Sequence, residues 1–208
     1  MKSLHYLGYE VPNRLSQETL QLAELYLNTS KIKDRIATCN FELDAPGGRT
    51  LPKQYAENAR KIAENAPLCI LPQERLVGSA TYLQGVQHAM PGGRFQGHSH
   101  TTANFAKAVT FGLSGLEAEI RQSLADPQHT EVEYDFLYAC LEVVDAMRIW
   151  HRRLVDALPN ASNYAQPILK VLKQVPEYPA TNFYEALQAL WFHFEFQRLC
   201  GNWSGLGR

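Results

Sequence analysis

The sequence predicts a mainly α-helical chain, and three observations carry that expectation. Apolar residues recur at spacings of three and four over two long stretches, 103–124 and 131–158. Proline and glycine gather between such stretches, at Asp44–Arg49, Pro91–Gly93 and Pro176–Pro179. The chain has 208 residues, 45% apolar and 20% charged, which is the globular range. A chain of this size buries roughly 70% of the surface its unfolded form exposes, so a real core is expected.

The elements follow in order. Ser16 is a fitting N-cap for a short helix to about Asn28, with Thr19 rather than Glu at the box position. Leu20, Leu22, Ala23 and Leu27 give it part of an apolar face. Pro52 opens a second helix to about Asn65, and Pro67 ends it. Leu68–Tyr82 reads as extended chain or loop, and Gln84–Ser99 as a loop rich in glycine and histidine. Ala103–Leu124 places Phe105, Val109, Leu113, Leu116 and Ile120 on one helical face. Gly112 and Gly115 weaken that helix by about 1 kcal/mol each, which suggests that they permit close packing. Glu131–Leu158 is a long helix with Val132, Phe136, Cys140, Val144 and Met147 on its stripe, widened by Leu137, Leu141, Ile149 and Trp150. A shorter helix is expected over Gln166–Lys173, then an extended link framed by Pro176 and Pro179. Thr181 caps a last helix to about Leu199, with Glu185 one residue too far on for a standard capping box. Ala189–Phe194 is apolar nearly all round, as in a helix at the centre of a larger core. Residues 1–50 form an irregular N-terminal segment, and 51–208 a second, more regular portion.

Charge and targeting signals narrow the function. The net charge of −1 gives no basic patch with which to displace counterions, so no nucleic-acid partner is expected. No apolar run approaches the roughly 20 residues that span a bilayer, so no membrane partner is expected either. The start lacks a basic region followed by an apolar one, so no signal peptide is read. Cys39, Cys69, Cys140 and Cys200 are widely spaced with no C-x-x-C pair, which fits reduced thiols and a cytoplasmic location.

The polar features are few. His88, His98 and His100 cluster in one loop, and His98-x-His100 has the spacing of a metal clamp. No nearby acid supplies a third ligand, so no metal is assigned. A loop histidine before a helix instead suits hydrogen bonding or proton handling at a substrate hydroxyl or carboxylate. Glu74 and Arg75 read as an exposed structural pair in a turn. His193 reads as a satisfied core histidine, and Tyr184 and Trp191 as core aromatics.

Four segments, in order, resemble the glycyl radical enzymes, the pyruvate formate-lyase-like family. Ala66–Ser79 has an apolar run, an acidic turn and Val77-Gly78-Ser79. Ser99–Phe105 with Gly112–Leu116 is similar to a family segment of Gly-His, then Asp/Asn-Tyr, then a helix with Gly-x-x-Gly. Val175–Gln188 with Leu190-Trp191-Phe192 is similar to the family's proline-framed Phe-Tyr-Glu-Ala helix. Gly201–Arg208 resembles the turn that leads into the barrel of these enzymes. The resemblance covers roughly residues 55 to 208.

That resemblance implies the helical N-terminal portion of a glycyl-radical-enzyme α/β barrel, with the barrel largely absent from this chain. It implies cleavage of a C–C or C–X bond of a small molecule by thiyl-radical chemistry. No cofactor is bound permanently; a glycyl radical is installed by a radical-SAM activating enzyme, which is the implied partner. A homodimer of the whole enzyme is compatible with it. No catalytic residue is assigned within this chain, since the active-site cysteine and radical glycine of the family have no match in it, and the chain alone is expected to be inactive. His100 matches the histidine that faces substrate in relatives acting on small polyols, with Ser99 in place of the usual glycine. His98 competes for that role. Asn202 and Trp203 stand where dehydratases of the family carry His-Ser, and would shape the pocket edge. The expected consequence is exposed apolar surface around Ala189–Phe196, where a barrel would pack. A self-contained helical scaffold that binds a partner, or a histidine-based metal-binding domain, are the competing readings.

Overall fold

The computed structural model describes residues 4–6, 9–11, 16–27, 50–66, 68–78, 103–200 and 205. Two compact units divide the chain, Met1–Arg35 and Ile36–Arg208. In the first, strands β1 (Leu4–Tyr6) and β2 (Tyr9–Val11) form an antiparallel hairpin in the register Leu4–Val11, His5–Glu10 and Tyr6–Tyr9. Helix α1 spans Gln17–Leu27. Ser16 caps it as expected: its hydroxyl accepts from the Thr19 amide at 3.2 Å and its carbonyl from Leu20.

The second unit holds helices α2 (Leu51–Asn65), α3 (Phe105–Leu124), α4 (Glu131–Ala161), α5 (Ala165–Leu172) and α6 (Phe183–Leu199). Helix dominates the described residues, as the patterning predicts. The long helix α4 is the axis of the core. Its Trp150, Leu154 and Leu158 are fully buried against Ile62 of α2, Leu113 of α3, Ile168 of α5 and Phe192 of α6. Each such side chain contributes about 1.5–3 kcal/mol by leaving water. The guanidinium of Arg153 donates to the Ala63 and Ala66 carbonyls, both at 2.7 Å, and so closes the C-terminal end of α2.

The start of α4 carries a full capping box: Thr130 accepts from the Glu133 amide, and Glu133 accepts from the Thr130 amide at 2.7 Å. Thr130→Ala is expected to cost about 1 kcal/mol, read as a lower urea midpoint with an unchanged slope. The far end of α4 runs on to Ala161, past the expected stop at Leu158, with Pro159 inside its last turn.

Several expectations need correction. Asn182, not Thr181, caps α6: its side chain accepts from the Glu185 amide at 3.0 Å. Glu185 is therefore at the box distance, and it reaches back to the Thr181 amide and hydroxyl, both at 2.7 Å. The segment framed by Pro176 and Pro179 is a turn over 173–178 rather than an extended link. Its carbonyls are spent on α3. Leu113 donates to Pro176 at 2.8 Å, Ser114 donates to Glu177 at 3.0 Å, and Ala180 donates back to Val109 at 3.0 Å. This is possible because α3 is broken at Gly112, whose φ of 65° and ψ of −177° free the local backbone groups. A Cβ there would lie 2.6 Å from the Glu177 carbonyl oxygen, so Gly112 does permit a close approach, through a break in the helix. Gly115 has the Phe111 Cβ of its own helix as nearest neighbour.

The predicted stripe of α4 is buried only from its middle. Val144 and Met147 are buried, but Val132 and Phe136 are 73% and 56% exposed. Phe136 borders an apolar groove among α2, α3 and α4, with Leu51, Leu116 and Ile120. The expected exposure around Ala189–Phe196 is overturned. Phe192, His193, Phe194, Glu195 and Phe196 are all buried within this chain, because α6 is packed on more than one side.

Candidate functional site

The most unusual chemistry among the described residues lies where the turn 72–78 meets α6. Tyr184, Gln188 and Glu195 follow one another at spacings of four and seven, which sets them on one side of the helix. Each holds a different part of the turn. The Tyr184 hydroxyl donates to the Arg75 carbonyl. Gln188, wholly buried, accepts from the Val77 amide at 3.0 Å and donates to the Val77 carbonyl at 3.2 Å. The Glu195 carboxyl lies against Gly78: a Cβ on that glycine would be 2.6 Å from Cδ of Glu195. Gly78 has φ of 107°, a conformation suited to a residue without a side chain. The turn is fixed to the link between α4 and α5 as well. Arg75 donates to the Tyr164 hydroxyl at 2.8 Å with its guanidinium 3.7 Å from the Tyr164 ring centroid, and Asn163 donates to the Pro72 carbonyl at 2.9 Å.

Glu195 is fully buried, and Glu74 is 1% exposed. The expectation that Glu74 is an exposed turn acid is therefore corrected: the turn folds its acid inward and leaves Arg75 outside. Burial first, and the neighbouring Glu74 charge after it, push the Glu195 carboxyl well above the ordinary carboxylate range. The Trp150 indole N–H, donating to Oε1 at 3.2 Å, opposes this only in part. Among the described residues Oε2 meets no hydrogen-bond partner. A neutral Glu195 is a proton donor held in a dry, rigid setting.

His193 is buried, with Nδ1 2.8 Å from the Ala189 carbonyl; burial lowers its pKa, and among the described residues Nε2 has no partner, so it is only half satisfied there. Tyr184 is half-buried, packs as a core aromatic against the cluster of Val171, Val175 and Ala189, and also tethers the turn through its hydroxyl. Trp191 is half-buried, its ring 5.6 Å from that of Phe194. Of the cysteines, Cys69 and Cys200 are buried and Cys140 is half-buried, each outside any disulfide, with burial pushing the Cys200 thiol up to about 12. Cys39 lies outside the described residues. Among the described residues no group of three or more His, Cys, Asp or Glu could hold a metal ion, and no helix is long and apolar enough to cross a membrane.

The residues that the sequence singles out for substrate, His98, His100, Asn202 and Trp203, all lie outside the described residues, as does His88. The acid pair went unread, although one signal existed. Glu195 is the lone acid between Ala186 and Gln197, in a run otherwise apolar save for Gln188 and His193. A lone acid in such a run is buried and needs a partner.

Comparison with known proteins adds a family, relatives and a fold. The family model described as pyruvate formate lyase-like matches residues 84–202. The isethionate sulfite-lyase of Oleidesulfovibrio alaskensis is 33% identical over 110 residues, which is 46% of this chain and 13% of that protein. The isethionate sulfite-lyase of Bilophila wadsworthia is 34% identical over 102 residues, 42% of this chain and 12% of that protein. The matched stretch is thus a small part of these relatives. A structure solved in work on 1,2-propanediol dehydration in Roseburia inulinivorans superposes with a TM-score of 0.65 at 16% identity. It covers 91% of this chain and 33% of that one, a likeness of fold.

Proposed function

The chain belongs to the pyruvate formate lyase-like family of glycyl radical enzymes, and from that premise we propose that it supplies the helical wall of a lyase acting on a small molecule. The bond broken is C–X or C–C, and the favoured substrate class is a small hydroxylated compound with a leaving group on the neighbouring carbon. The match over 84–202 carries this reading, since it spans His98, His100 and Asn202. The named activity of the sulfite-lyases supports the substrate class, isethionate being a hydroxyethyl sulfonate.

In this reading a glycyl radical installed by a radical-SAM activating enzyme supplies the hydrogen-atom chemistry. What this chain contributes is binding and exclusion. His100, with His98 as its neighbour, hydrogen-bonds the substrate hydroxyl and moves its proton, a role worth about 10²–10⁴ in rate. Asn202 and Trp203 form the pocket edge. The turn 72–78, pinned by Tyr184, Gln188 and Glu195, stiffens the helical wall. Rigid support keeps reacting groups within reach of one another and water out.

The complete protein, activated anaerobically with its activating enzyme, should show a glycyl radical by electron paramagnetic resonance and turn over isethionate or a related short hydroxylated compound. His100→Ala should keep the radical signal and lose about 100-fold or more in kcat/KM. Full turnover by the variant would overturn the role of His100. Absence of a radical after activation, or turnover by the 208-residue chain alone, would overturn the reading as a whole.

A further inference from the structure

The geometry points to an anion-binding site in the concavity between α4 and α5, one that takes a small molecule carrying phosphate groups on an apolar or aromatic body. The concavity has a volume of about 900 Å³. That is the size range of small-molecule sites. It stands apart from the substrate reading of His100 and uses none of the same residues.

The argument begins with charge that has no counterpart. Arg152, Lys170 and Lys173 border the concavity, are exposed, and form no ion pair among the described residues. The acids on that side are already committed. Glu177 gives both carboxylate oxygens to Arg148, at 2.9 Å from Nε and 2.7 Å from Nη2, and Arg148 also holds Glu117 at 2.6 Å and Asp145 at 3.3 Å. That network keeps Arg148 charged and removes Glu177 as a partner for the lysines. Among the described residues Asp156 is the one remaining acid on the rim, against three cations. In a chain whose net charge is −1, this local excess is not a general property of the surface.

The walls suit the rest of such a ligand. Val155, Leu169 and Leu172 supply apolar surface, and the Tyr178 ring, 51% exposed, stands at the edge where a planar body could stack. His151 forms part of the wall. Its ring is hydrogen-bonded to the Leu172 backbone, and its Nε2 is buried without a partner among the described residues. Burial lowers its pKa, with Glu177 raising it and Arg152 lowering it further. A bound anion would favour the imidazolium, which supplies a reporter inside the site.

The test is calorimetric titration of the complete protein with ADP as probe at fixed ionic strength, beside a proton-resonance pH titration of His151. Saturable binding is expected, weakening as salt rises. The double variant K170A/K173A should bind about ten-fold more weakly or worse, as loss of charged hydrogen bonds requires. Lys53→Ala, a lysine exposed on α2, should bind as the wild type does. ADP should also move the His151 titration to higher pH, which diffuse attraction to a basic surface would not do. No saturation, equal binding of adenosine, or unchanged binding in K170A/K173A would each overturn the site.

Discussion

Glu195→Gln is expected to raise the stability of the protein at neutral pH and to flatten the fall in stability between acid and neutral conditions. The reason is linkage. A carboxyl whose folded-state pKa lies well above 4.5 binds its proton more tightly folded than unfolded. Its contribution is complete below about pH 4.5, the unfolded value, and is lost as pH rises towards the folded value. Over that window the loss is about 1.4 kcal/mol for each pH unit, and Glu195 is fully buried, so water does not screen it. Glutamine has the same shape and cannot titrate. Its amide oxygen can still accept from Trp150, and its NH₂ can stand where the acid proton stood. Urea melts of both proteins from pH 5 to pH 8 measure the difference, with about 2–4 °C in Tm for each kcal/mol. Glu74→Gln should narrow the window, because it removes the charge that helps to raise Glu195. Parallel pH profiles for wild type and Glu195→Gln would mean that Glu195 is ionised in the fold, against the geometry around it.

Why the helices were legible and the site was not follows from the range of the interactions involved. The faces of α3 and of the second half of α4 are set by residues three and four apart, so Phe105, Leu113, Val144, Met147 and Trp150 announce themselves. The cap of α6 was one residue off because Thr181 and Asn182 are both good caps. What decides between them is the three-residue step to Glu185, which serves Asn182. The break at Gly112 could not be seen, since glycine tolerates a left-handed φ without requiring it. What requires it here is the approach of Glu177 and Tyr178, distant in sequence. Glu74 looked like any acid in a turn. Only the fold shows that Gly78 leaves room for Glu195 and that Gln188 ties down Val77, and so turns that acid inward. The exposed face expected of α6 failed for a related reason. A helix apolar nearly all round must be covered, and the sequence does not say that the turn 72–78 and α4 already help to cover it.

Gly112→Ala is expected to cost about 3 kcal/mol or more, equivalent to a fall of roughly 6–12 °C in Tm. Two costs combine. A φ of 65° with ψ near 180° is a region that glycine alone occupies readily, and an alanine forced there pays about 1–3 kcal/mol. Its Cβ would also stand 2.6 Å from the Glu177 oxygen and 2.7 Å from the Tyr178 carbonyl carbon. Both are main-chain atoms, so no side chain can rotate to relieve the contact. If α3 instead straightens into a regular helix at that point, the amides of Leu113 and Ser114 return to their own helix and leave Pro176 and Glu177. The turn 173–178 then loses its anchor, and with it the position of Glu177 that holds Arg148 bidentate. A Gly112→Ala protein as stable as the wild type in urea melts would mean that α3 runs unbroken and that the turn 173–178 is held by something other than its backbone.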